Sequence, residues 1–265
     1  MSTRRSTSLE KGLVLLQELA AAGSSLAVSE LAASAGLNRS TGYRLCDALE
    51  SAGWLHTVSD GPAALRRVNL GPQAFGLAVL IASKYDPESR LQPIMDELAR
   101  KVSETVHAGI LDDTTIIHVA RAVPESGLHM AMEVGAREVA HITSLGKALL
   151  ATLDRDEVLR RYPSERLAVP TPRSIATRTE LLAELDRVVE RGYAHDDEES
   201  SSGVKCLGAP IFDTGGKALF AISVTAIPQH LEGERLGAVA NALREAAASA
   251  TAAFAGEAPA GFGPR

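Results

Sequence analysis

Apolar residues recur with helical spacing at the start of the chain. Leu9, Leu13, Leu16 and Ala20 follow one another at intervals of four and three, which predicts a helix over 9–22 with these residues sharing a face. Gly23 ends it. Ser29 is a capping residue for a second short helix whose apolar face includes Leu31 and Ala35, and Gly36 breaks that helix. A third helix is predicted over 38–52, capped by Asn38 or Ser40 and closed by Gly53. Its periodicity turns Thr41, Leu45, Ala48 and Ala52 one way. Arg39, Ser40, Tyr43 and Asp47 turn the other way, with Arg44 on the flank. The runs WLHTV and ALRRVNL, separated by a turn at Asp60-Gly61-Pro62, then predict a two-stranded ribbon.

The pattern changes after residue 71. Helices are predicted over 73–84 and 88–102, with a break near Asp86-Pro87. Strands follow over 105–111, 114–122 and 128–133, with Asp112-Asp113 as the turn between the first two. Residues 144–152, 155–161 and 176–191 read as helices, the last ended by Gly192. The polar stretch YAHDDEESSSGVK reads mostly as loop. CLGAPIFD and ALFAISVTA read as strands joined at Thr214-Gly215-Gly216, and an amphipathic helix over 232–254 precedes a Gly/Pro-rich tail. The expected class is α+β: a helical head with a ribbon over 1–71, a linker helix over 72–87, and a body of antiparallel sheet and helices over 88–265.

Charge adds an asymmetry. The chain has 265 residues and a net charge of −6, yet residues 1–70 hold seven Lys/Arg against six Asp/Glu and the remainder twenty against twenty-seven. A near-neutral head on an acidic body permits nucleic-acid binding by the head alone. The two cysteines, Cys46 and Cys206, have no metal-ligand spacing and form no disulfide framework. The charged N-terminus is a poor signal peptide, and the apolar stretch 77–82 is too short to span a bilayer. A cytoplasmic protein without membrane partners is expected.

Chemistry points the same way. A short turn containing glycine between two helices is the helix-turn-helix arrangement, whose second helix enters the major groove. The third helix offers Arg39, Ser40, Thr41, Tyr43 and Arg44 for that role, and the ribbon offers Arg66 and Arg67 as a wing. In the body there is no Walker loop, no G-x-S-x-G elbow and no H-E-x-x-H pattern. Asp196, Asp197, Glu198 and Glu199 read as a solvated loop. In SLGKALL, Ser144 is a candidate helix cap, Gly146 allows close approach of a ligand or strand, and Lys147 either adds charge to a site or reaches solvent. Cys206 and Ala209 are candidates to line a cavity. No cofactor and no metal are expected. A reader head on a body without chemical machinery suggests a ligand sensor. An enzyme built on the C-terminal domain, or a scaffold whose head binds protein, are the alternatives.

Three stretches carry a resemblance to a known family: LAVSELAASAGLNRSTGYRLCDALESAGWL, HITSLGKALLA and GYAHDDEESSSGVKCLGAPIFDTGGKALFAISVTA. In this order and spacing the chain resembles the IclR family of bacterial transcriptional regulators over nearly its whole length. The resemblance implies a winged helix-turn-helix domain followed by a GAF-like α/β effector-binding domain, a homodimer or tetramer, and a repressor or activator role on a double-stranded DNA operator; two heads on a dimer would read a palindromic or near-palindromic site. It implies a small organic effector, a carboxylate or an aromatic metabolite. The effector site it implies opens near Thr143, Ser144, Leu145 and Gly146. Asp196, Glu198, Cys206 and the strand with Leu219, Ala221 and Ser223 border it, and Ile110 and His129 are additional candidates. Two positions depart from the family pattern. Gly42 stands where an apolar residue is usual and costs about 1 kcal/mol of helix propensity. The wing closes on Val68-Asn69-Leu70-Gly71 without the usual aromatic.

Overall fold

The computed structural model describes residues 7–58, 65–85, 87–124 and 132–263. The chain divides into two compact units, Met1–Tyr85 and Asp86–Arg265.

In the first unit α1 (Thr7–Ala22), α2 (Val28–Ser34) and α3 (Arg39–Ser51) pack around Leu15, Leu19, Val28, Leu31, Leu45, Cys46, Leu55 and Val68. The buried side of α1 is Gly12, Leu15 and Leu19, while Leu9 and Leu13 are 62% and 51% exposed. The face predicted from Leu9, Leu13, Leu16 and Ala20 is therefore rotated: two interleaved leucine stripes run along this helix, and the core takes the other one. The same correction applies to α3, whose buried face is Gly42, Leu45 and Cys46, with Ala48 and Ala52 outside. Gly42 makes that face possible. A Cβ there would stand 2.4 Å from the Cβ of Ala32, so α2 and α3 cross at a distance only glycine allows.

The wing has three strands rather than two. β1 (Leu26–Ala27) and β2 (Leu55–Val58) flank β3 (Arg67–Leu70), all antiparallel. Two residues before α2 gave no periodicity from which β1 could be read. The predicted turn at Asp60-Gly61-Pro62 lies outside the described residues. Gly71 closes the wing: its N–H donates to the Trp54 carbonyl at 2.7 Å, and a Cβ would strike the Gly53 carbonyl. α4 (Pro72–Tyr85) follows, with Phe75, Leu77 and Val79 exposed.

The second unit begins with α5 (Pro87–Arg90) and α6 (Gln92–Val102), where one helix was expected. Its sheet is antiparallel in the order β6-β5-β4-β9-β8-β7, built from β4 (Thr105–Asp112), β5 (Thr115–Ala122), β6 (Arg137–Val139), β7 (Ala194–Asp197), β8 (Lys205–Phe212) and β9 (Ala218–Ala226). β7 lies in the stretch expected as loop. Its polar residues hide the alternation, but Ala194 and Asp196 point inward and the strand pairs with β8 from Ala194 to Asp197. The strand expected over 128–133 falls mostly outside the described residues.

Every residue of β8 is buried, so both faces of the sheet are covered there. α7 (Ser144–Leu150) packs on β8, β9 and β4, and α10 (Gly233–Ala253) packs on β8, β9 and α6. The apolar cluster beneath α7 joins Ile116, Leu145, Ala148 and Ala221 to Val158 of α8 (Arg155–Arg161) and to Leu181 and Val188 of α9 (Arg178–Arg191). No helix among the described residues is long and apolar enough to cross a membrane.

Candidate functional site

The outward side of α3 carries the first site. Asn38 caps the helix, its side chain accepting from the Thr41 N–H at 2.9 Å and from the Ser40 hydroxyl at 2.9 Å. That choice between the two predicted caps puts Arg39 and Ser40 in the exposed first turn. Arg39 and Arg44 are exposed, Thr41 and Tyr43 half-buried, and the Arg39 guanidinium lies 5.5 Å from the centre of the Tyr43 ring. The ring steadies an arginine at the helix start, where free backbone N–H groups also favour phosphate.

The two wing arginines are committed elsewhere. Arg66 donates to Asp47 and Glu50 of α3 at 2.5 Å each and to Thr57 at 3.2 Å. Arg67 donates to the hydroxyl of Ser25 at 3.1 Å and to its carbonyl. They brace the wing against α3 and β1. The Asp47 and Glu50 carboxylates explain this, since both stand on the side of α3 that the wing approaches.

The second site is a cavity of about 420 Å³ inside the second unit, a size that suits a small organic molecule. Of the residues expected around it, Thr143, Ser144, Leu145, Asp196, Cys206 and Ser223 do line it. Five others do not. Ile110 lies past the β-bulge at Ala108 and Gly109 and away from the cavity. Ala221 shares the inward face of β9 with Ser223 but lies under α7 in the core, so the cavity sits at the other end of that strand, beyond Leu219 as well. Glu198, in left-handed conformation at φ 63°, accepts from the Gly203 N–H at 2.9 Å and serves its own loop. Gly146 serves packing: a Cβ would stand 2.0 Å from the Ala140 carbonyl oxygen. His129 lies outside the described residues. The cap of α7 is Thr143 rather than Ser144, its hydroxyl accepting from the Gly146 N–H at 3.1 Å.

Sequence reasoning missed His107, His118, Met132, Glu138, Ser200, Ser201, Val204 and Thr225, all in the cavity wall. A signal for the histidines existed. Folding the strands about their hairpin turn puts 107 and 118 diagonally on one face, and their rings meet edge-on at 5.3 Å. His118 Nε2 lies 2.6 Å from Glu138 Oε2. His107 Nε2 accepts from the Met132 N–H at 3.0 Å, which leaves Nδ1 to donate to the Thr225 hydroxyl at 3.2 Å. Burial, then the neighbouring His118, pulls the His107 pKa down to about 4, so this ring is neutral.

Asp196 forms one wall and is almost fully buried. Its carboxyl accepts from the N–H of Glu199 at 2.7 Å and from the Ser200 hydroxyl at 2.6 Å, and burial raises its pKa. Lys147 neither lines the cavity nor reaches solvent. It is fully buried and donates to the His195 carbonyl and to Glu199, whose own pKa burial pushes up to about 7. The acidic run is thus only partly a solvated loop, because Asp196 and Glu199 are folded inward. The Cys206 thiol, buried and raised well above its usual value, donates to Thr225 at 3.4 Å and is no nucleophile.

A winged helix-turn-helix unit followed by a pocketed α/β unit has the build of a DNA-binding regulator. Comparison with known proteins bears this out. The family model "IclR helix-turn-helix domain" matches residues 8–59, and "Bacterial transcriptional regulator IclR C-terminal" matches residues 80–252. The HTH-type transcriptional regulator KdgR of Escherichia coli (strain K12) is 30% identical over 214 residues, covering 80% of this chain and 79% of its own. An IclR transcriptional regulator from Silicibacter sp. TM1040 superposes with a TM-score of 0.83 at 26% identity, covering 96% of this chain and 99% of that one. An IclR homolog from Microbacterium hydrocarbonoxydans complexed with 4-hydroxybenzoate shares the fold, with a TM-score of 0.77 at 20% identity over 94% of this chain and 99% of that one. The chain belongs to the IclR family of bacterial transcriptional regulators, which are not enzymes.

Proposed function

We propose that this regulator binds its operator as a homodimer through Arg39, Ser40, Tyr43 and Arg44 of α3, and that a small organic molecule in the second unit's cavity changes its affinity for DNA. The observation that carries the reading is the pairing of an outward-facing, arginine-bearing α3 with a cavity of small-molecule size in a separate compact unit. A single α3 reads few base pairs, so useful affinity calls for two heads on a near-palindromic site. The exposed Leu9, Leu13 and Val14 of α1 and the exposed Phe75, Leu77 and Val79 of α4 are apolar surface suited to self-association. α4 then serves as the linker helix, and the protein works in the cytoplasm. Arg66 and Arg67 support the wing and meet DNA only if they leave their present partners.

The test has two arms. Duplexes selected from a random pool by the full chain are expected to contain inverted half-sites. Small carboxylates and aromatics, 4-hydroxybenzoate among them, are then screened by thermal shift, since a ligand of the native state raises apparent stability. A bound ligand must change DNA affinity by the same factor as DNA changes its own. Equal ligand affinity with and without the selected duplex overturns the regulatory coupling.

A further inference from the structure

The buried face of α3 fixes what the helix turns outward. Gly42, Leu45 and Cys46 face the core. The opposite stripe, at spacings of four, three and four, is Ser40, Arg44, Asp47 and Ser51, all exposed. An acidic residue thus stands in the middle of the side proposed to meet DNA, one turn beyond Arg44. Phosphate repels a carboxylate there, so it weakens binding to any duplex unless a donor in that duplex meets it.

The two carboxylates beside the wing differ. Glu50 uses both oxygens inside the protein: Oε1 accepts from the Thr57 N–H at 2.7 Å and Oε2 from Arg66 at 2.5 Å, and the side chain is 33% exposed. Asp47 uses one. Its Oδ1 accepts from Arg66 at 2.5 Å, its Oδ2 has no hydrogen-bond partner among the described residues, and the side chain is 62% exposed. Arg66 is itself fixed at a third point, donating to the Thr57 hydroxyl at 3.2 Å, so it holds the Asp47 carboxylate and leaves one oxygen free. An ion pair as exposed as this one adds little stability, so bracing of the wing rests mainly on Glu50.

We propose that Asp47 reads a cytosine of the operator, with Arg66 as the residue that positions its carboxylate. This rests on the reading of α3 as the duplex-facing helix. In the major groove cytosine offers its N4 amine alone. Guanine and thymine present acceptors, and adenine sets the N7 acceptor beside its amine, all of which repel a carboxylate. Asp47 therefore opposes every duplex and is met only where cytosine stands, which gives selectivity more than affinity. Arg44, exposed and without an ion-pair partner among the described residues, is suited to a guanine nearby. Three residues of helix advance about 4.5 Å and one base-pair step about 3.4 Å, so the cytosine lies about one or two base pairs from that guanine.

The experiment selects duplexes from a random pool with the full chain as wild type, Asp47→Ala, Asp47→Asn, Glu50→Gln and Arg66→Gln, each checked for folding by thermal melting. Anisotropy titrations then compare the selected duplex with versions changed at single positions. Wild type is expected to select a C·G pair at one position of each half-site and to prefer it about 5- to 20-fold over the other pairs. Asp47→Ala loses that preference at this position alone and binds unrelated duplexes at least as tightly as wild type, because a repelling charge is gone. Asp47→Asn moves the preference towards adenine, whose N6 and N7 an amide meets together. Glu50→Gln keeps the cytosine. Arg66→Gln, which releases the carboxylate, blurs the same position.

A sharp wild-type site that D47A and D47N both leave unchanged overturns the assignment while leaving the reading of α3 intact. Selectivity lost across the whole half-site in D47A, or lost equally in E50Q, means that the carboxylate only braces the wing, and does the same. A position as sharp in R66Q as in wild type overturns the role given to Arg66. If wild type selects no sequence at all, the assignment and the reading of α3 fall together.

Discussion

The two units treat charge in opposite ways. In the first, the arginines of α3 stay outside: Arg39 and Arg44 are exposed, and the interior is wholly apolar apart from the edges. In the second, Lys147, Asp196, Glu199, His107 and His118 are all buried. The contrast follows from the partners each unit suits. A polyanion meets exposed, mobile cations and releases its counterions on doing so. A small molecule is selected by a few polar groups held rigidly in a wall that excludes water. Charge left outside costs the fold little, whereas charge brought inside costs stability wherever a partner is lost, which makes the second unit sensitive to single substitutions.

The largest effect should therefore come from the buried pair. Lys147→Ala strands Glu199 and is expected to destabilise the second unit by about 3–5 kcal/mol in denaturant unfolding. A variant as stable as wild type would mean that the pair is not buried as described. Next is Gly42→Val, which restores the family's usual residue against a Cβ contact of 2.4 Å with Ala32. It should cost the first unit about 1–3 kcal/mol. If it stabilises the protein instead, the close crossing of α2 and α3 is wrong.

Protonation sharpens the comparison inside the second unit. The pKa values of His107 and His195 are both depressed to about 4, chiefly by burial, so each adds a loss of stability as pH falls from the ordinary histidine value towards 4. Glu199 works the other way. Its pKa is raised from 4.5 to about 7, so its burial costs stability progressively as pH rises across that window. Glu199→Gln removes the opposing contribution, and stability of the variant should climb more steeply than wild type between about pH 5 and about pH 7. Parallel profiles in urea titrations would argue against a buried Glu199.

The smallest expected change in stability separates the arginines of the first unit. Arg66→Ala loses contacts to Asp47, Glu50 and Thr57 and should cost about 1 kcal/mol. Arg44→Ala should change stability by less than about 0.5 kcal/mol. If the costs reverse, the division between bracing and reading arginines fails.

The same contrast governs what could be read from the sequence. Helices with one apolar stripe and strands with clear alternation were legible, and so were the order of elements and the outward placement of Arg39 and Arg44. Periodicity failed in two ways. On α1, Leu9 and Leu13 compete with Leu15 and Leu19, and only packing decides which pair is buried. On β7, the inward residue is an aspartate whose partners are its own loop, so the hydrophobic pattern is silent. Family resemblance supplied six cavity residues but also Gly146 and Ala221, whose roles are in packing. His118 and Glu138 belong to strands that pair only in three dimensions, and no local motif links them.

The central claim is that α3 reads DNA with its exposed arginines. The most direct measurement is a fluorescence-anisotropy titration of a selected duplex with wild type and Arg44→Ala at several salt concentrations. The account predicts wild-type affinity that falls as salt rises, together with binding weakened about tenfold or more and a shallower salt slope in the variant at unchanged thermal stability. Equal affinity and equal slope for the two proteins would contradict it.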